Sequence, residues 1–65
     1  MRQYLKKAVD LAGSERKLAL GIGVAQQSVW AARKRGSVSP AMAIKIEKFT
    51  KGAVTKRQLR PDIFD

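Results

Sequence analysis

The feature that most narrows the folds open to this chain is a spacing: Ala19, then Gly23 four residues on, then Val29 six residues later. A small residue, a turn glycine and a buried aliphatic at those intervals form the core of a helix-turn-helix. Two helices that cross closely need a small side chain at the crossing, which Ala19 supplies. Gly23 can take the positive φ of a tight helix-to-helix turn. Val29 plugs the second helix into the core, with Leu18, Ile22, Val24 and Ala32 filling the flanking apolar positions. The spacing alone also fits an ordinary helical hairpin, so the rest of the chain has to decide.

The remaining residues punctuate the chain into short helices. Tyr4, Leu5, Ala8, Val9, Leu11 and Ala12 recur with helical periodicity, and Gly13 is a natural stop. Ser14 offers an N-cap for a second helix, with Glu15 favourable in its first turn, and Gly21 and Gly23 are expected to break it. A third helix follows from about Ala25 to Arg35, ended by Gly36. Ser39-Pro40 starts a fourth, whose buried face is Met42, Ile46 and Phe49 with Ala43 beside them. Thr55 caps a last short helix, Lys56 to Arg60, closed by Pro61, and the tail Asp62-Ile63-Phe64-Asp65 is apolar enough to pack. The expected fold is all-α: one domain over residues 1–65, a compact bundle of four to five short helices with the helix-turn-helix at about 15–35. After Gly52, Ala53-Val54-Thr55 reads either as an extended piece or as a turn.

Charge points to the partner. Fourteen Lys and Arg against five Asp and Glu give a net charge of +9 in 65 residues, which suits nucleic acid or an anionic membrane surface. The glycines and caps leave no long cationic amphipathic stretch, which disfavours the membrane. No long apolar run follows the first residues or occurs later, so neither a signal peptide nor a membrane span is expected, and the location is cytoplasmic. The chain has no cysteine and no histidine, hence no disulfide and neither of the commonest metal ligands. Its carboxylates, Asp10, Glu15, Glu47, Asp62 and Asp65, form no recognisable catalytic pair. No enzyme activity, metal or cofactor is expected.

A helix-turn-helix in a basic chain explains "GVAQQSVWAARKRG", residues 23–36. Burying Val29 and Ala32 turns Gln26, Gln27, Trp30 and Ala31 outward, on the face that enters a major groove. The first residues of a recognition helix reach base edges, and a glutamine amide matches adenine N6 and N7. Gln26 and Gln27 are therefore candidate base readers, with Trp30 and Ala31 beside them; Trp30 also reads as a core residue, which sequence leaves open. Arg33, Lys34 and Arg35 at the far end are candidate phosphate contacts, or favourable charge at a helix C-terminus. Ser14 and Arg16 at the start of the second helix, and more weakly Ser39 and Lys45, are candidates of the same kind.

With these residues assembled, the chain resembles the Cro/YdaS-like family of small phage and prophage helix-turn-helix repressors, from about Gly13 to Phe64. The most specific part is "SPAMAIKIEKFTKGAVTKRQLRPDIF", where Ile46-Glu47, Thr50, Gly52, Val54-Thr55 and Leu59-Arg60-Pro61-Asp62 match the family pattern. The upstream "LGIGVAQQSV" is similar to the family's "LGVSQQAV". Three positions depart. Lys51 stands where many members have a second glycine, Ala25 where many have serine, and Trp30 follows Val29 directly rather than three residues later.

The resemblance implies a transcriptional repressor binding double-stranded operator DNA in a bacterial host, nucleoid-associated when bound, as a homodimer that is weak without DNA. It also implies two architectures, one all-helical and the alternative a helical N-terminal half with a C-terminal β-hairpin; the Ser39-Pro40 cap and the spacing of Met42, Ile46 and Phe49 favour the first. One recognition helix covers few base pairs, so two are expected about one helical turn, roughly 34 Å, apart. The candidate dimer surface is the C-terminal apolar set Val54, Leu59, Ile63 and Phe64, whose other reading is intramolecular core. A reading of another class is the antitoxin of a toxin–antitoxin pair, with the C-terminal half holding a protein partner.

Overall fold

The computed structural model describes residues 2–64, which form five helices: α1 (Arg2–Ala12), α2 (Glu15–Ile22), α3 (Gln26–Arg35), α4 (Pro40–Phe49) and α5 (Lys56–Leu59). No strand occurs among the described residues, so the C-terminal half is helical and the hairpin alternative is discarded. Asp65, read with the tail, lies outside them.

Three of the helix starts are capped by side chains. Ser14 Oγ accepts from Lys17 N at 3.1 Å, and Ser39 Oγ accepts from Met42 N at 3.2 Å. Thr55 and Gln58 form a reciprocal capping box on α5. α3 is different: Ala25 takes the extended N-cap conformation but has no side-chain acceptor to offer.

The α2–α3 turn is made at Gly23, whose φ of 73° is left-handed, with its N–H donating to Ala19 O. Gly21, by contrast, does not break the helix; α2 continues through it to Ile22. Its role is space. A Cβ there would overlap the Phe49 ring, so the missing side chain lets α4 lie against α2.

Each helix turns one stripe inward. Leu5, Ala8 and Val9 of α1, Leu18, Ala19 and Ile22 of α2, and Val29 and Ala32 of α3 join Met42, Ala43 and Ile46 of α4 and Leu59 of α5 in one buried cluster. Val38 and Val54, on the connections, complete it. Burying each large aliphatic contributes about 1.5–3 kcal/mol. Val24, expected in this set, is only partly buried. Val54 and Leu59 are 0% exposed, which removes them from the candidate dimer surface: α5 packs on α4 and α1, and these two side chains seal that contact. Phe64 packs partly on the core, while Ile63 is exposed.

A polar framework holds the C-terminal half. Thr50 Oγ1 donates to Ile46 O at 2.9 Å and accepts from Val54 N at 3.1 Å, and Glu47 Oε2 accepts from Lys56 N at 3.1 Å. Arg60 donates to Val38 O at 2.8 Å and clasps both carboxylate oxygens of Asp62 at 3.0 and 2.8 Å. It thereby ties the end of α5 to the α3–α4 connection. Beyond Thr50, Lys51 has a φ of 54° and Gly52 N donates back to Glu47 O at 3.0 Å. That is the helix-ending geometry in which glycine usually occupies the left-handed position, here held by lysine.

Candidate nucleic-acid interface

The geometry of α3 follows from two anchors. Val29 and Ala32 are fully buried against α2, so the opposite side of the helix is presented to solvent. At helical spacing that side carries Gln27, Trp30, Ala31 and Lys34. Gln27, Trp30 and Lys34 are exposed and Ala31 is partly so. Gln26 is exposed as well, but its spacing from Val29 and Arg33 puts it on the flank rather than at the centre of the row. The side-chain hydrogen bonds among the described residues lie elsewhere, so neither glutamine amide is spent on the fold.

Trp30 is 53% exposed, which excludes the core reading. Lys34 Nζ sits 4.9 Å from the centroid of its ring, so one turn of α3 shows solvent an aromatic plate with a cation over it. Such a pair can pack its apolar edge on sugar or a thymine methyl while the ammonium meets a phosphate.

The expected phosphate contacts separate into groups. Gln27, Ser28, Ala31 and Arg35 of α3 face Ser39 and Met42 across a shallow depression of about 340 Å³, so Arg35 and Ser39 border the recognition row. Lys45 does not; it lines a different depression, between α2 and α4. Arg33 is committed elsewhere: its guanidinium pairs with Glu15, partly buried, and bolts the start of α2 to α3. Nothing in the spacing of residues eighteen apart signals that bond, and it also takes Glu15 away from a purely capping role. Ser14 accepts a hydrogen bond from Lys17 N with its Oγ, and Arg16 next to it is exposed.

One contributor was not legible in the sequence. Arg2 reaches across from α1, donating to Lys34 O at 3.3 Å, and its side chain covers Gly36. The cation thus satisfies a terminal carbonyl of α3, where the helix dipole is negative.

Among the described residues no group of three or more His, Cys, Asp or Glu could hold a metal ion, and no helix is long and apolar enough to cross a membrane.

Comparison with known proteins agrees with this geometry. The Cro protein from putative prophage element Xfaso 1 in Xylella fastidiosa strain Ann-1 superposes with a TM-score of 0.91 at 40% sequence identity, covering 95% of each chain. No match was found among curated proteins. The family described as Bacterial toxin YdaS matches residues 5–65. With nearly its whole length in that match and an all-helical prophage Cro fold, the chain belongs to the Cro/YdaS-like prophage family.

Proposed function

We propose that this protein is a Cro-type transcriptional repressor that reads double-stranded operator DNA with α3 in the major groove. The observation that carries the reading is the outward row Gln27, Trp30, Ala31 and Lys34, on a helix anchored by Val29 and Ala32, whose row side chains make no hydrogen bond to the rest of the fold. Gln27, with Gln26 at its flank, reads base edges. Trp30 and Ala31 supply apolar contact in the groove. Lys34, Arg35, Ser39, Arg16 and Ser14 meet the phosphate backbone, giving affinity without sequence information. Lys45 and Arg33 are secondary, the first by position and the second by its pairing with Glu15.

The protein acts by occupancy, without catalysis or cofactor, on chromosomal DNA in the cytoplasm. Two copies bind a two-fold-symmetric operator, and Ile63 with Phe64 is the part of the C-terminal apolar set still available to join them. The family's description as a toxin is accommodated, because an overproduced repressor that occupies essential promoters inhibits growth. It fits less well with the antitoxin reading.

Selection of bound duplexes from a randomised pool at physiological salt tests the proposal. The expected product is an inverted repeat with half-sites about ten base pairs apart. Salt-sensitive binding with no enriched sequence would reduce the protein to a non-specific basic helical domain. Growth inhibition by the overexpressed protein that survives Gln27→Ala would argue that toxicity does not run through operator reading.

A further inference from the structure

A second surface of this molecule lies away from the exposed row of α3. Between α2 and α4 lies a shallow depression of about 320 Å³ lined by Gly21, Ile22, Lys45, Lys48 and Phe49, none of them from α3. Its floor is apolar. The Phe49 ring rests over Gly21 and remains 39% exposed, and Leu20, the neighbour of Gly21, is 71% exposed. Ile44, one turn before Lys48 on α4, adds a further exposed aliphatic. Lys45 and Lys48 are exposed at the rim, and no carboxylate lines the depression.

We propose that this groove is the docking surface for an acidic amphipathic helix of a different protein. The apolar floor between two helices suits the apolar stripe of a third. The rim lysines suit carboxylates flanking that stripe. Charge complementarity also decides against a second copy of this chain. Glu15 is paired with Arg33, Asp62 with Arg60 and Asp10 with Lys6, and Glu47 accepts from Lys56 N. Three of the four carboxylates among the described residues are thus hydrogen-bonded internally, Asp10 alone facing solvent beside Lys6, and self-association through the groove would set the lysine pairs of two chains of net charge +9 against one another. Nucleic acid would satisfy the lysines but leave Leu20 and Phe49 facing phosphate. A partner bound here leaves α3 free, so it can attach to the DNA-bound protein.

The test uses the full chain and a synthetic Leu/Glu amphipathic helical peptide, with a Leu/Lys peptide of the same pattern as control, followed by amide chemical shifts. The expected result is saturable shifts centred on Leu20, Gly21, Lys45, Lys48 and Phe49 with the acidic peptide alone. The double substitution Lys45→Glu, Lys48→Glu should weaken binding about tenfold or more, as reversal of two rim charges at an apolar contact requires. Leu20→Ser, at a side chain 71% exposed, keeps the test valid should the charge variant fold poorly; it too should weaken binding. Shifts centred on Gln27, Trp30 and Lys34 would overturn the proposal, since the peptide would then be imitating DNA. Concentration-dependent shifts at the groove without peptide would also overturn it, in favour of self-association. Loss of sequence discrimination in the Gln27→Ala variant with peptide binding intact would separate the two surfaces.

Discussion

The half of the molecule that contains α4 and α5 and the helix α3 are constructed on opposite plans. From Ser39 to Asp62, the side chains of Ser39, Glu47, Thr50, Thr55, Gln58, Arg60 and Asp62 are all engaged, either on backbone groups or on one another. In α3 only Arg33 is so used, and Val29 and Ala32 are the only residues it buries. The first region defines the fold by satisfying its own polar groups; the second is held in place by others and keeps its polar groups for a partner.

The contrast can be broken hardest at its buried side. Leu59→Ala should cost about 2–5 kcal/mol, enough to unfold much of a domain this small at moderate temperature. A melting midpoint close to that of the unsubstituted chain would mean that α5 is dispensable to the core. On the other side, Gln27→Ala should lower discrimination against mismatched operators by about 1–3 kcal/mol while leaving the melting temperature unchanged. If stability fell with specificity, Gln27 would belong to the fold after all.

Two local backbone features sharpen the comparison further. Ala25 occupies an N-cap position without an acceptor, so Ala25→Ser should stabilise the chain by about 1 kcal/mol in thermal melts. Lys51 sits at a φ of 54°, and Lys51→Gly should relieve strain by about 1 kcal/mol, less the entropy glycine adds to the unfolded chain. Absence of either gain would show that neighbouring contacts already compensate.

The smallest expected effect is on pH. Hydrogen bonds from Arg60 hold the Asp62 carboxyl below its ordinary range. A depressed folded-state pKa contributes stability above the unfolded value and loses it as the pH falls through the folded one. Stability should therefore decline on the acid side of the carboxylate range, and Asp62→Asn should flatten that part of the profile in melts across pH. The side chain is solvent-exposed, so the change is small.

How far the sequence could be read follows from the range of each interaction. Caps and turn glycines act over a few residues, and Ser14, Ser39, Thr55 and Gly23 do in the structure what their positions indicate. Periodicity marked Leu59 as apolar but could not say whether the buried partner was the same chain or another. At Gly21 the sequence is ambiguous, because a glycine in a helix looks identical whether it ends the helix or makes room for Phe49. The pairs Glu15–Arg33, Arg2–Lys34 and Val38–Arg60 join residues distant in sequence, and no local rule encodes them. Trp30 was placed only once the rotation of α3 was fixed by Val29 and Ala32.

The unspent amides of α3 have a consequence for how such a protein can change over generations. Gln26 and Gln27 make no side-chain hydrogen bond to the fold, and Ala31 and Trp30 lie outside the buried cluster, so under the operator-reading function proposed above, replacing them would alter what is recognised without endangering the scaffold. A lineage can therefore move between operators by single steps that selection on folding does not see, and two elements sharing a host can cease to answer to each other's signals while keeping the same architecture.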